Sequence, residues 1–176
     1  DPETSNMCVS SLEEKLKVAK NNNKLPKIII PVHMAGKSCD MKQIYRLSKK
    51  YRFKIIEDAS HALSADYNYK KVGSCEFSDA TIFSFHPVKI ITTGEGGMVL
   101  TNHLKLDQTL KLLRQNGITK DPNSYTEKSH GDWYYEQHLL GFNYRMTDLE
   151  AALGLSQLKK IEEYKIKRHQ IAVNYR

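Results

Sequence analysis

The chain has 176 residues, of which 40% are hydrophobic and 27% charged, and its formal net charge is +7. That is about one domain in size, long enough to bury a core, and the composition is that of an ordinary globular protein. The longest apolar stretch, IIIPVHMAG, is too short and too broken to cross a bilayer, which needs ~20 apolar residues. The 27 basic residues are interleaved with 20 acidic ones along helix-like segments such as EEKLKVAK and QLKKIEEYKIKR. This is the pattern of solvated helix faces; no zinc-finger spacing, RNA-binding aromatic motif or continuous basic stripe points to nucleic acid.

The opening DPETSN lacks the charged-then-apolar pattern of a secretory leader. It leads into a predicted helix, SLEEKLKVAK, with Ser10 and Glu13 spaced as a capping box. KIIIPV, residues 27–32, is a continuous apolar run expected of a strand buried on both faces. DMKQIYRLSKKY, residues 40–51, puts Met41, Ile44, Tyr45 and Leu47 on one helical side, and FKIIED, residues 53–58, is a second apolar strand. Together they form a strand-helix-strand unit of the length of a right-handed parallel crossover. DATIFSF, residues 79–85, and GMVLTN, residues 97–102, read as two further strands. A helix from about Leu104 to Gln115 stops at Asn116-Gly117. A long loop, 118–141, carries the single tryptophan in GDWYYEQ. Thr147 and Glu150 form a second capping box, opening the helix AALGLSQLKKIEEY.

In open α/β sheets, ligands gather beyond the carboxyl ends of the strands. Glu57 and Asp58 stand at one such end and Ser84 at another, with FSFHPVKIITTGEGG running on from there. A lysine just past a buried strand is placed to form a Schiff base with a carbonyl compound, and dehydrated surroundings would lower its pKa. Pro87 stiffens the approach, and Gly94, Gly96 and Gly97 allow the backbone close to a ligand. Ser84 can hydrogen-bond a phosphate, and Asp58 can pair with a protonated ring nitrogen. Each residue alone has a plainer reading, as a turn cap, a surface charge or a loop hydroxyl. Together they are the parts that pyridoxal phosphate requires.

The segments IIPVHMAG, IIEDASHALSADY, SDATIFSFHPVKIITTGEGGMVLTN and LGFNYRMTDLEAALGLSQL closely resemble the DegT-type nucleotide-sugar aminotransferases. These are pyridoxal 5'-phosphate enzymes of fold type I, so the resemblance implies an α/β fold: a mostly parallel sheet flanked by helices, as in the large domain of that fold. It runs in order along essentially the whole chain and implies that residues 1–176 are the central part of the large domain, without its N-terminal part or the C-terminal small domain. The wording is nearest the branch that aminates the 4-keto group of a UDP-linked 6-deoxy-N-acetylhexosamine.

Carried over residue by residue, the resemblance makes Lys89 the catalytic Schiff-base lysine and Ser84 a ligand of the cofactor phosphate. Asp58 would hold the pyridine nitrogen protonated. His61 stands where many relatives have glutamine, near the ring hydroxyl, and Asn143 would reach the phosphate in a neighbouring subunit. The implied partners are a nucleotide-sugar substrate, an amino donor (usually glutamate) and a second copy of the chain sharing the active sites. The implied chemistry is a ping-pong amino transfer in polysaccharide biosynthesis, with the amine of Lys89 as proton shuttle.

Rival readings exist. A truncated, non-catalytic binding or regulatory module is one. A dehydratase is another, but dehydratase relatives carry histidine where Lys89 stands. His33, Cys39, His61, Cys75 and His86 lack the spacing of zinc ligands, and His86 reads as a packed loop residue. Tyr67, Tyr69, Trp133, Tyr134 and Tyr135 are expected in core or dimer packing more than on a ligand. Three cysteines without a CxxC predict a reducing, cytoplasmic setting.

Overall fold

The computed structural model describes residues 1–175, which divide into two units: residues 1–102 with 148–175, and residues 103–147.

The first unit begins with α1 (Val9–Asn21), β1 (Ile28–Ile29), α2 (Met41–Tyr51) and β2 (Lys54–Asp58). A small antiparallel pair, β3 (Asp66–Tyr67) and β4 (Lys70–Lys71), precedes β5 (Ala80–Ser84) and β6 (Gly97–Leu100). The main sheet has four strands in the order β1-β2-β5-β6. β1, β2 and β5 are parallel, as the apolar strand-helix-strand pattern predicts. β6 runs antiparallel to β5, so the chain doubles back through the 85–96 segment.

Register separates the two faces. Ile29 pairs with Ile55, and Glu57 pairs with Thr81; these buried or half-buried side chains face the helices. Leu12 and Leu16 of α1, and Ile44 and Leu47 of α2, close over Phe53 and Ile55 as the core. Asp40 caps α2, its Oδ1 accepting from the Gln43 amide at 3.3 Å. The cap expected for α1 does not form. Cys8 holds the N-cap position with no side-chain cap bond, and Ser10 lies inside the helix, so the Ser10–Glu13 box does not form.

The expectation that residues 27–32 are buried on both faces is also overturned. Ile28 is 48% exposed and Ile30 is 53% exposed, on the face that also carries Val32, Asp58 and Ile82. Helices α1 and α2 cover only the other face.

The last helix splits in two, α4 (Asp148–Leu158) and α5 (Ile161–Asn174), with a break at Lys159–Lys160. α4 docks on the lysine-bearing segment: Gln157 Oε1 accepts from the Thr92 amide at 2.8 Å. α5 docks on the loop after β2, where Lys165 Nζ donates to Asp66 at 2.8 Å and Ser64 Oγ donates to Glu162 at 3.3 Å.

The second unit has α3 (Leu104–Leu113), β7 (Ile118–Thr119) and β8 (Glu136–Gln137), which form an antiparallel pair within the predicted long loop. Glu136 gathers the segment between them. Its carboxylate accepts from the Thr126 and Glu127 amides, the Tyr134 hydroxyl and His138 Nε2. Burial works against that charge, but the His138 and amide bonds prevail and lower its pKa to about 2. Tyr134 stacks edge-on with Tyr125, and Trp133, 71% exposed, lies outside the core of this unit. No described helix is long and apolar enough to cross a membrane.

The two-faced sheet gives a stability test by urea unfolding. Ile44→Ala, in the closed core, is expected to cost about 2–5 kcal/mol. Ile82→Ala, on the open face, is expected to change stability by only about 0.5 kcal/mol. Equal costs would contradict this division of the sheet.

Candidate active site

β2 and β5 lie side by side, with Asp58 paired to Ile82, and their carboxyl ends carry Asp58 and Ser84. Asp58 is fixed through its backbone on both sides. Its amide donates to Pro31 O at 2.9 Å, its carbonyl accepts from the His33 amide at 3.0 Å, and the next amide, Ala59, donates to Ile82 O at 2.9 Å. Its Oδ1 accepts from the Ser60 amide at 3.0 Å. Burial works against ionisation of this carboxyl. The Ser60 hydrogen bonds and the positive charges of His61 and Lys89 outweigh it, holding Asp58 below the usual carboxylate range.

Residues 85–96 form a closed loop. Phe85 and Gly96 bond across its neck at 2.9 Å, and the Thr92 hydroxyl and Thr93 amide both donate to Phe85 O. Phe85, Ile91 and Thr93 are buried anchors, which leaves Val88 exposed and Lys89 half-buried at the tip. The glycines of this block serve the loop itself as much as any ligand: a Cβ on Gly97 would come within 2.9 Å of Phe83 O across the strand pair. Ser84 Oγ accepts from the His86 amide at 3.3 Å. The His86 ring is exposed rather than packed, with Nδ1 accepting from the Val88 amide at 3.4 Å.

Lys89 and His61 share one cleft of about 600 Å³, walled by the Met34–Gly36 turn, residues 60–65, the lysine loop and α5. Gly36 (φ +88°) is needed at its edge, since a Cβ there would meet His61 O at 3.1 Å. Lys89 is only half-buried, so these residues alone do not supply the dehydrated surroundings expected from the sequence. Asn143 belongs to the second unit, exposed and bridged through its backbone to Gln115. In the same unit Arg145 lines a separate cavity of about 300 Å³ with Lys120 and Tyr135.

Sequence reasoning missed the buried polar group beneath Asp58. His33 Nε2 lies 2.8 Å from Glu57 Oε2, with side chains 0% and 7% exposed. The other carboxylate oxygen accepts from Thr81 Oγ1 at 3.0 Å and from Ser78 Oγ. The Cys39 amide donates to His33 Nδ1 at 3.2 Å, so the ring proton sits on Nε2, facing Glu57. Burial opposes a charged ring. A second ring proton would have to displace the Cys39 amide from Nδ1, so the arrangement shown is the neutral tautomer. Burial likewise opposes ionisation of Glu57, but His33, Ser78 and Thr81 hold it below the usual carboxylate range. The signal was there to read: a glutamate in the buried phase of an apolar strand requires a partner. Among the described residues no cluster of His, Cys, Asp or Glu is set to hold a metal ion, and all three cysteines are free.

Residues 1–176 match the DegT/DnrJ/EryC1/StrS aminotransferase family. The chain belongs to this family. One family relative, the UDP-4-amino-4,6-dideoxy-N-acetyl-beta-L-altrosamine transaminase of Campylobacter jejuni, is 43% identical over 165 residues, covering 93% of this chain and 41% of that protein. Among solved structures, the Helicobacter pylori aminotransferase PseC, involved in pseudoaminic acid biosynthesis, matches with a TM-score of 0.83 at 37% identity, over 97% of this chain and 41% of that one. The PLP-form of the putative sugar aminotransferase Spr1654 of Streptococcus pneumoniae matches with a TM-score of 0.71 at 27% identity, over 90% of this chain and 41% of its own. The chain thus spans about two-fifths of the length of these relatives. Its fold is part of the large domain of the fold type I transferases, a mixed α/β architecture with a parallel-rich sheet.

Glu57→Gln is expected to destabilise the first unit by about 2 kcal/mol, the order of a hydrogen bond to a buried charge. Because the folded pKa of Glu57 is depressed, its contribution is complete above the unfolded value of about 4.3 and is lost as pH falls through the folded value. The gap in melting temperature between wild type and Glu57→Gln should therefore shrink between about pH 5 and pH 3. A gap that stays constant over that range would mean that ionisation of Glu57 contributes nothing to stability.

Proposed function

We propose that the protein is a pyridoxal phosphate-dependent aminotransferase acting on a nucleotide-linked keto sugar, with an amino acid, glutamate by family habit, as donor. Family membership supports the reaction class. One observation carries the site: Asp58 and Lys89 meet electrostatically at the ends of adjacent strands, with Asp58 held ionised.

The residues present suit the cofactor. Lys89 offers a primary amine in an open cleft, Asp58 a carboxylate for a cationic ring nitrogen, Ser84 a hydroxyl for a phosphate and His61 a ring nitrogen for a phenolic oxygen. When bound, pyridoxal phosphate supplies the electron sink for a carbanion next to nitrogen. The task of Asp58 is to remain an anion, since an opposite charge within a few ångströms stabilises a ring cation. The amine of Lys89 takes a proton from the donor carbon and returns it at a second position, as base and then acid. The loop that bears it is tied at Phe85, Thr92 and Thr93, so its amine swings from a fixed base. We further infer a homodimer in which Asn143 reaches the partner's cofactor phosphate, as the family resemblance implies.

The test is an absorbance spectrum of the purified chain with pyridoxal phosphate, followed by borohydride reduction and peptide mapping. The expected result is a stable pyridoxyl adduct on Lys89, absent in Lys89→Ala. An unmodified Lys89 in the wild-type chain would overturn the cofactor assignment and favour the non-catalytic binding module.

A further inference from the structure

The cleft that holds Lys89 is lopsided in charge. Its lining includes His61, Lys89, Lys165 and Arg168 and contains no carboxylate. Ile161, Lys165 and Arg168 are spaced four and three residues apart, so one stripe of α5 forms that wall.

The acids near this wall are already engaged. Asp66 accepts from Lys165 at 2.8 Å and from Lys71 at 2.9 Å. Glu162 accepts from Ser64 Oγ at 3.3 Å and lies 4.0 Å from Lys71, and Glu163 pairs with Lys167 at 2.6 Å. Arg168 has no ion pair among the described residues. A guanidinium presents a planar fork of donors that matches two oxygens of a phosphate or carboxylate at once. At about 600 Å³ the cleft has the volume of a small-molecule site, with room for more than a lysine and its carbonyl partner.

We propose that Arg168, with Lys165 beside it, is an oxyanion subsite on the α5 wall of the Lys89 cleft. It takes either the diphosphate of the nucleotide-linked substrate or the carboxylate of the amino donor. The assignment rests on the aminotransferase reading above for the identity of the anion, though not for its binding. Asp66 has the further part of holding Lys165 in place, so that Arg168 rather than the lysine makes the two-oxygen contact.

The experiment is calorimetric titration of the purified chain at low salt with inorganic pyrophosphate and, separately, with glutarate. Wild type is expected to bind at least one of them. Arg168→Gln should weaken that anion about tenfold or more, Arg168→Lys should fall between, and Lys15→Gln, exposed on α1, should stay within about twofold. Loss confined to pyrophosphate assigns the subsite to the diphosphate; loss confined to glutarate assigns it to the donor. Unchanged binding of both anions in Arg168→Gln, or binding of neither by the wild type, overturns the proposal. Borohydride trapping on Lys89, run in parallel, separates the two readings. A trapped adduct with Arg168-independent anion binding removes only the subsite. No adduct with Arg168-dependent binding removes only the cofactor assignment.

Discussion

The His33–Glu57 contact is the constraint on which the placement of the site depends. A carboxylate cannot sit in the buried phase of an apolar strand without donors around it, and Glu57 collects them from three places. His33 comes from the segment after β1, while Ser78 and Thr81 come from the approach to β5 and from β5 itself. One charge therefore ties together the parallel strands whose ends frame the cleft. His33 grips twice: its ring meets Glu57, and its amide holds the carbonyl of Asp58. Since side chains alternate along a strand, anchoring Glu57 on the helix side obliges Asp58 to emerge on the other. A register slip of one residue would bury Asp58 and expose Glu57, and would strand His33 without its partner.

The lysine is positioned by different means. β5 is the strand where the sheet changes from parallel to antiparallel neighbours, so the chain leaving Ser84 must turn back on itself within the 85–96 segment. Phe85 O takes two donors, Thr92 Oγ1 and the Thr93 amide, and this knot replaces the crossover helix found between parallel strands. The polar and glycine-rich half of FSFHPVKIITTGEGG closes the loop, while the apolar half anchors it. Lys89 gains a fixed origin, which suits the proton-shuttling role proposed for its amine.

The strands and most helices were legible because apolar runs of four to eight residues and helical spacing are strong signals, and the strand-end positions of Asp58 and Ser84 followed from them. The direction of β6 was not legible, since GMVLTN reads alike in either sense. Nor was the cap of α1: Ser10 and Glu13 have the right spacing, but the helix starts earlier, at Val9. The run KIIIPV revealed its apolar character but not its surroundings, because whether Ile28 and Ile30 are covered depends on which other elements reach that face. The partner of Glu57 was hidden by distance along the chain, 24 residues away, at a histidine whose spacing pointed to no partner. In the folded chain His33 is engaged on both ring nitrogens.

Asp58 shares its face of the sheet with Ile82, Val32 and Ile28, so the same covering that would dehydrate these side chains would dehydrate the carboxylate. Dehydration alone drives a carboxylic acid toward its neutral form. Hydrogen bonds from a backbone amide and attraction to fixed cations both strengthen as the dielectric falls. The hydrogen bond from the Ser60 amide is of the first kind. The ionised state of Asp58 is therefore supported by an interaction that gains strength under the same closure that opposes it. That is the behaviour required for the role proposed for Asp58, keeping a cation beside it in a dry site.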